Sequence, residues 1–314
     1  MAHRPIGQRQ IGHRLSALVV VAGLAAAAAP AHAQWPEYPT PNVPRNADGT
    51  PNMKAPTPRT KDGHPDFTGL WEIYFNSIAA APPPGQASPS RSLQDQSGGG
   101  AENQLGLTPA TPPADPNAPP RATFFDIGAN IKGGAPFKPW AKELHDQRVK
   151  DNQKDNPDAH CLPMGYMQLH GHPQPRKIVQ TPKLIVMMYE GNQGLRQIFT
   201  DGRPLPKLDE DLQPWWYGYS VGRWEGDTLV VETVGFRDDG WLDVFGSPLT
   251  DQGKLIERFR RPDYGHMEID ITVDDPKAYT APFTVRVSHQ LTVNQELIEF
   301  ICNENEKSSQ HYDR

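Results

Sequence analysis

The stretch GRWEGDTLVVE, residues 222–232, decides the fold of this chain. It consists of two short strand-like runs that meet at Gly226 and Asp227. An aspartate beside a glycine suits the positive backbone angles of a tight hairpin turn. The stretch therefore predicts a β-hairpin, and it makes Trp224 and the flanking Glu225 and Glu232 candidates for a cavity wall.

The same pattern recurs along the chain and predicts a long antiparallel sheet. Residues with strand character are separated by turn-forming residues at the spacing typical of sandwiches and barrels. The predicted strands cover residues 67–75, 183–190, 195–200, 217–224, 228–236, 254–261, 266–273, 283–293 and 296–303. One helix is predicted at residues 139–150, where a proline suits the first turn. We therefore expect an all-β fold, an antiparallel β-barrel with one short helix and long Pro/Gly-rich loops.

The predicted barrel domain covers residues 61–305 and follows two N-terminal segments. Residues 1–33 have the features of a signal peptide: a basic start, an apolar run and an Ala31-His32-Ala33 cleavage site. We expect cleavage near Ala33 and a periplasmic or secreted protein without a stable membrane anchor. Residues 34–60 are expected to be extended, and residues 306–314 form a C-terminal tail. A proline- and glycine-rich insertion at residues 77–122 is expected to be disordered.

The charge balance restricts the possible partners. The chain carries 31 Lys and Arg against 37 Asp and Glu, a net charge of −6, and it has no basic runs. Acidic chains of this kind are poorly suited to bind nucleic acid or anionic membranes. No glycine-rich phosphate loop or heme-attachment motif is present, so no cofactor is expected. The expected partner is a small apolar or aromatic molecule, and the oligomeric state stays open.

The two cysteines, Cys161 and Cys302, have three interpretations. In an oxidising compartment they most simply form one disulfide bond. Cysteine is also a common buried apolar residue. A catalytic cysteine would need a basic partner, and this is the less favoured interpretation.

Strand alternation places carboxylates on faces that should be inward. In residues 254–261, Glu257 shares a face with two apolar residues. In residues 183–190, Glu190 shares a face with three, although that strand is apolar on both sides. A carboxylate among apolar groups has a raised pKa, which suits general acid or base catalysis. Arg258 would then hold an oxyanion. The alternative is an internal ion pair, for instance with Arg176 or Arg196.

Aromatic residues cluster around the opening hairpin and suggest a ligand cavity. The alternative is that they plug one end of the barrel. The residues assigned to substrate binding are Trp216, Tyr219, Trp224, Trp241 and Arg176.

Two further motifs have weaker interpretations. Residues 218–222 match the Gly-x-Ser-x-Gly pattern of a hydrolase, but a helix should follow the serine and here a second strand follows. The glycines are then explained by strand bending. His160, Cys161, His170 and His172 are possible metal ligands, but no nearby residues complete a tetrahedral set, and the flanking prolines indicate a loop with surface histidines. No metal site is therefore predicted.

Seven short motifs occur along the chain: CLPMG (161–165), QTP (180–182), DGR (201–203), residues 218–232, WLD (241–243), ERF (257–259) and CNEN (302–305). Together they resemble a large family of exported bacterial proteins, most of them uncharacterised. The resemblance covers residues 62–71 and about 137–305. That family is similar to the calycins, which include lipocalins, and this implies a barrel with an internal cavity but no particular catalytic residue. The chain departs from the family pattern at residues 166–175, which carry extra His and Gln residues.

Two functions fit these features. The first is an exported, cofactor-independent enzyme, a lyase, isomerase or hydrolase, that acts on a small apolar or aromatic substrate in the barrel cavity. The second is a non-catalytic periplasmic carrier or sensor of such a molecule. Inward carboxylates favour the enzyme, whereas the absence of a complete triad, metal set or cofactor motif favours the carrier.

Overall fold

The computed structural model describes residues 38–73, 117–163, 165–207 and 213–304. The predicted signal peptide, residues 77–116 of the predicted insertion and the C-terminal tail lie outside these ranges. Two α-helices are present in the described ranges, α1 (Pro139–Lys150) and α2 (Tyr166–Gly171). Neither has the length and apolar character that a membrane-crossing helix requires.

The all-β fold class is confirmed. The strands are β1 (Gly69–Ile73), β2 (Arg176–Gln180), β3 (Leu184–Tyr189), β4 (Leu195–Phe199), β5 (Tyr219–Glu225), β6 (Thr228–Val234), β7 (Gly240–Trp241), β8 (Pro248–Leu249), β9 (Lys254–Arg260), β10 (His266–Asp274) and β11 (Phe283–Thr292). Nine of them close into a barrel in the order β1-β11-β10-β9-β6-β5-β4-β3-β2, and β7 pairs with β8 outside it. All neighbours are antiparallel except β4 and β5, which run parallel. The opening hairpin forms β5 and β6 as predicted.

Every second residue of the barrel strands points inward, and most of these inward side chains are apolar. On β9 the inward residues are Leu255, Glu257 and Phe259, as the alternation predicts, and all three are buried. Trp71 of β1 is fully buried, and its Nε1–H donates to the carbonyl of Phe67 at 2.9 Å. Burial of a side chain this large stabilises the fold by roughly 4 kcal/mol before its entropy cost.

The inward face of β3 is the opposite of the predicted one. Strand alternation placed Glu190 on a face with Leu184, Val186 and Met188, whereas Ile185, Met187 and Tyr189 are the buried residues of this strand. Both faces of β3 are apolar, so alternation cannot distinguish them. The prediction that Glu190 lies on an inward face is therefore wrong.

Two other predictions differ from the structure. Residues 296–303 form no strand; the barrel closes because β1 pairs with both β11 and β2, which leaves no free edge for a further strand. Residues 117–122 are ordered although they belong to the predicted disordered insertion. Arg286 of β11 donates its backbone N–H to Pro120 and accepts at its carbonyl from Ala122, at 2.8 and 2.9 Å.

Candidate functional site

Glu257 is at the centre of a buried ion pair inside the barrel. It lies mid-strand on β9 and is completely buried. Its Oε1 accepts from Nη1 of Arg196 on β4 at 3.0 Å, and its Oε2 accepts from Nη2 of the same guanidinium. Burial alone would raise the pKa of Glu257, but the charge of Arg196 and the hydrogen bond from His170 outweigh it and lower that pKa to about 2. Glu257 is therefore a permanent carboxylate rather than a proton donor at neutral pH.

Arg196 uses its remaining donors within the same cluster. Its Nε donates to Oγ of Ser220 at 3.1 Å, and its Nη2 donates to Oγ1 of Thr233 at 3.0 Å. The guanidinium also lies 4.6 Å from the ring centre of Tyr166. Ser220 is thus a buried strand residue that holds Arg196, and residues 218–222 do not form a nucleophile elbow.

His170 completes the cluster, a position that the sequence patterns did not reveal. Its Nε2 lies 3.0 Å from Oε1 of Glu257, and since that carboxylate only accepts, Nε2 carries the proton. Burial outweighs the carboxylate and lowers the pKa of His170, so the ring is neutral at pH 7. Its Nδ1 then bears a lone pair that has no partner among the described residues, and the buried hydroxyl of nearby Tyr166 also lacks one.

Arg176 holds the end of α2. Its Nη1 donates to the carbonyl of His170 and its Nη2 donates to the carbonyl of His172, each at 2.7 Å. Burial lowers its pKa to about 10. A basic side chain on the last carbonyls of a helix is a stabilising arrangement. Arg176, predicted to bind substrate, thus contacts the backbone of α2.

The other predicted catalytic residues lie apart from Glu257. Arg258 follows it on β9 and therefore points outward, where its Nη2 pairs with Glu225 at 2.7 Å. Glu190 lies beyond the end of β3, and its Oε2 accepts from the backbone N–H of Ile298 at 3.3 Å. It lines a shallow groove of about 260 Å³ beside Phe300. The structure therefore does not bring the three together.

Two of the predicted ligand-binding aromatics also lie elsewhere. Tyr219 is on the outer face of the barrel, where its hydroxyl accepts from Nη1 of Arg203 at 3.0 Å. Trp224 stacks on His64, with ring centres 4.3 Å apart and planes within 2° of parallel. Neither side chain contacts the Glu257 cluster.

Trp216 and Trp241 line one surface cleft of about 340 Å³. One wall is the C-terminal half of α1, where Arg148 lies 4.2 Å above the ring centre of Trp241. Nη1 of Arg148 donates to the carbonyl of Gly246 at 2.7 Å. A β-carbon at Gly246 would lie 2.4 Å from Arg148 and 3.0 Å from the Trp241 ring, so this packing requires glycine.

A buried aspartate organises the loop that carries Trp241. Asp243 accepts from the backbone N–H groups of Ile127, Gly246 and Ser247 at 2.8–2.9 Å. Burial, opposed by these bonds, raises the pKa of Asp243. The loop wall of the cleft is therefore held by hydrogen bonds to buried backbone.

Carboxylates surround the opening of the cleft. Asp151, Asp155 and Asp239 line it together with the single cation Arg148. Asp239 pairs with Arg237 at 3.1 Å, and Asp151 accepts from the Gln147 side chain at 2.8 Å. The Asp155 carboxylate has no hydrogen bond or ion pair with any described residue.

The cysteine pair forms the predicted disulfide. Cys161 and Cys302 are bonded, with 5.4 Å between their Cα atoms. Cys161 follows a short 3-10 helix, Pro157–His160, and adopts a left-handed backbone conformation. Among the described residues, no group of three or more His, Cys, Asp and Glu side chains is arranged to hold a metal ion.

One sequence signal could have identified His170. Tyr166, Leu169 and His170 are spaced at i, i+3 and i+4, which places them on one face of a helix. All three are buried in the structure. The prolines around this segment favoured a loop, yet they lie outside the six residues of α2.

Comparison of the chain with protein-family models, with curated protein sequences and with solved structures found no match.

Proposed function

We propose that this protein binds a small aromatic molecule in the cleft beside α1 and acts as an exported carrier or sensor. The observation that carries this proposal is the presence of Trp216 and Trp241 in one cleft. They come from separate parts of the chain, and both were assigned to ligand binding on sequence grounds.

The properties of the cleft support this function. Its volume of about 340 Å³ is at the lower end of the range for small-molecule sites. Such sites combine apolar and aromatic walls with a few fixed polar groups. Here Trp241 is fixed by Arg148 and by the Asp243 loop, so little ordering is needed when a ligand binds.

Direct binding measurements test the proposal. Mass spectrometry of molecules that co-purify with the exported protein identifies the ligand class, and calorimetry with indole measures the affinity of the cleft for a simple aromatic ring. Trp216→Ala should weaken indole binding by about 10-fold, because stacking against an indole ring contributes roughly 1 kcal/mol beyond burial. Trp215→Ala is the matched control, since Trp215 is exposed next in sequence and does not line the cleft. Equal loss in both variants, or no binding by the wild type, contradicts the proposal.

A specific observation favours a second function, a cofactor-independent acid–base enzyme such as a lyase, isomerase or hydrolase. His170 has a free Nδ1 lone pair while Glu257 holds its Nε2, and the Tyr166 hydroxyl beside it has no partner among the described residues. A carboxylate that fixes the tautomer of a histidine prepares the other nitrogen to act as a base. In this function Glu257 is a positioning residue, His170 the base and Tyr166 the proton donor. Both His170 and Glu257 are completely buried, so a substrate reaches them only if the packing around them opens.

Tyr166→Phe separates the two functions cleanly. The hydroxyl faces the Glu257 carboxylate but makes no hydrogen bond of good geometry with a described residue, so its loss should lower the free energy of unfolding by no more than about 1 kcal/mol. If the co-purified molecule is turned over, this variant should reduce kcat by at least about 100-fold, the contribution typical of a general acid. Unchanged turnover in Tyr166→Phe excludes the proposed proton donor.

A further inference from the structure

The charges around the α1 cleft indicate which aromatic molecules it selects. Three carboxylates line the cleft, and Arg237 neutralises one of them, Asp239. Asp151 and Asp155 have no cationic partner within 4 Å among the described residues. Arg148 also lines the cleft, where its guanidinium lies over the Trp241 ring, donates to the carbonyl of Gly246 and interacts with the charges of Asp155 and Asp239. The three carboxylates still exceed the charges of Arg148 and Arg237 by one.

The helix itself adds to the negative potential. Asp151 is the C-cap residue of α1, and the last carbonyls of a helix carry a partial negative charge, which Arg148 and Lys150 in the last turn offset in part. An acidic side chain at this end is unfavourable for helix stability, whereas a cation there is favourable. The position of Asp151 therefore weakens the helix end while it strengthens the attraction of the cleft for positive charge.

The tryptophans that line the cleft also favour a cationic ligand. Guanidinium groups already lie over both tryptophans, Arg148 over Trp241 and Arg237 over Trp216, at 4.2 and 4.4 Å from the ring centres. The negative face of an indole attracts cations, most strongly where water is partly excluded. The net charge of −6 draws cations toward the whole chain.

We infer that the ligand of the cleft is a small aromatic molecule that carries a protonated amine. Its ring packs against the tryptophan walls, and its ammonium group lies between Asp151, Asp155 and the C-terminus of α1. This inference rests on the proposed binding function and specifies the ligand class for it.

Two indole probes of equal chain length test the inference by calorimetry on the intact protein. Tryptamine ends in an ammonium group, and indole-3-propionate ends in a carboxylate. Tryptamine should bind at least about 10-fold more tightly at low salt, and its advantage should shrink in 0.5 M salt because exposed charges are screened. Asp151→Asn/Asp155→Asn should weaken tryptamine binding by about 10-fold, because the loss of each carboxylate should weaken the affinity a few-fold. Binding of indole-3-propionate should stay the same or improve.

The control variant also removes two negative charges, but outside the cleft. Asp62→Asn/Asp274→Asn lies outside the cleft lining and should leave the preference for tryptamine intact. Asp151→Asn should leave the protein as stable as the wild type or more stable, so unfolding cannot explain the lost affinity. If both probes bind equally, or the acid binds more tightly, the charge inference is wrong and aromatic binding stands. If neither probe nor indole binds, the proposed function itself fails.

Discussion

The carbonyl oxygen of Trp241 occupies the position that a β-carbon on Gly165 would need. A β-carbon with ideal geometry on Gly165 would lie 1.2 Å from that oxygen, so the N-cap residue of α2 is in direct contact with the backbone of the cleft wall. Gly165 precedes Tyr166, and α2 carries His170 into the barrel. One contact therefore joins the surface cleft to the interior ion cluster.

Gly165→Ala should displace α2 and destabilise the protein strongly. Because the obstacle is backbone rather than a flexible side chain, the cost should exceed the roughly 1–3 kcal/mol usual for overpacking. Urea denaturation measures this loss. Gly134→Ala is the control: it has a left-handed backbone but faces open space, so it should cost only about 1 kcal/mol. Similar losses in the two variants would mean that the Trp241 contact yields easily.

Removal of the Glu257 charge should destabilise the barrel because it leaves Arg196 buried without a counter-ion. Glu257→Gln should lower the free energy of unfolding by about 3–5 kcal/mol, the range for breaking a buried ion pair. Glu257→Gln/Arg196→Met removes both charges and should recover a large part of this loss. The comparison is made by denaturant unfolding at pH 7. A loss below about 1 kcal/mol in the single variant would contradict the assigned role of the pair.

The Cys161–Cys302 disulfide should contribute substantially to stability because it closes a long loop. The cysteines are 141 residues apart, and for a loop of this length the chain-entropy model gives about 5 kcal/mol. Cys161→Ser/Cys302→Ser should show a loss approaching this value in urea denaturation. A reducing agent should produce the same loss in the wild type and none in the variant. If the reduced wild type keeps its full stability, the bridge is not a stabilising element.

Sequence patterns predicted the barrel well because a half-buried strand alternates between apolar and polar residues. Residues 254–261 and 266–273 alternate clearly, and their inward faces, including Glu257, are correct. Strand β3 is apolar on both faces, so the same reasoning placed Glu190 wrongly. The parallel pairing of β4 and β5 depends on how distant strands meet, and alternation within a strand contains no information on that.

The candidate sites were only partly predictable because they form from distant segments. The sequence identified Glu257 and named Arg196 as a possible partner, but it missed the position of His170, since six residues are too few for a clear helical period. Trp216 and Trp241 were named as part of a larger aromatic cluster. Their separation from Tyr219 and Trp224 follows from the tertiary packing of the β7–β8 loop against α1, which local patterns do not determine.

The buried histidines should make the protein less stable as the pH falls from about 6.5 to 4. Burial, together with the charge of Arg176, lowers the pKa of His172 from 6.5 to about 4, and burial also lowers the pKa values of His170 and His289. The unfolded chain therefore binds more protons than the folded protein in this window, and each extra proton costs about 1.4 kcal/mol of stability per pH unit. Glu257 extends the decline at lower pH, because its contribution is present above pH 4.5 and is lost toward pH 2.

His172→Gln tests this linkage without touching the Glu257 cluster. It should reduce the slope of the unfolding free energy against pH by up to about 1.4 kcal/mol per pH unit, the equivalent of one proton. Over the whole window the wild type should then lose about 3 kcal/mol more than the variant. Urea denaturation at half-unit steps from pH 7 to 4 measures both slopes. If His172→Gln follows the wild-type curve, His172 takes up its proton equally in the folded and unfolded states, and the other buried groups cause the decline.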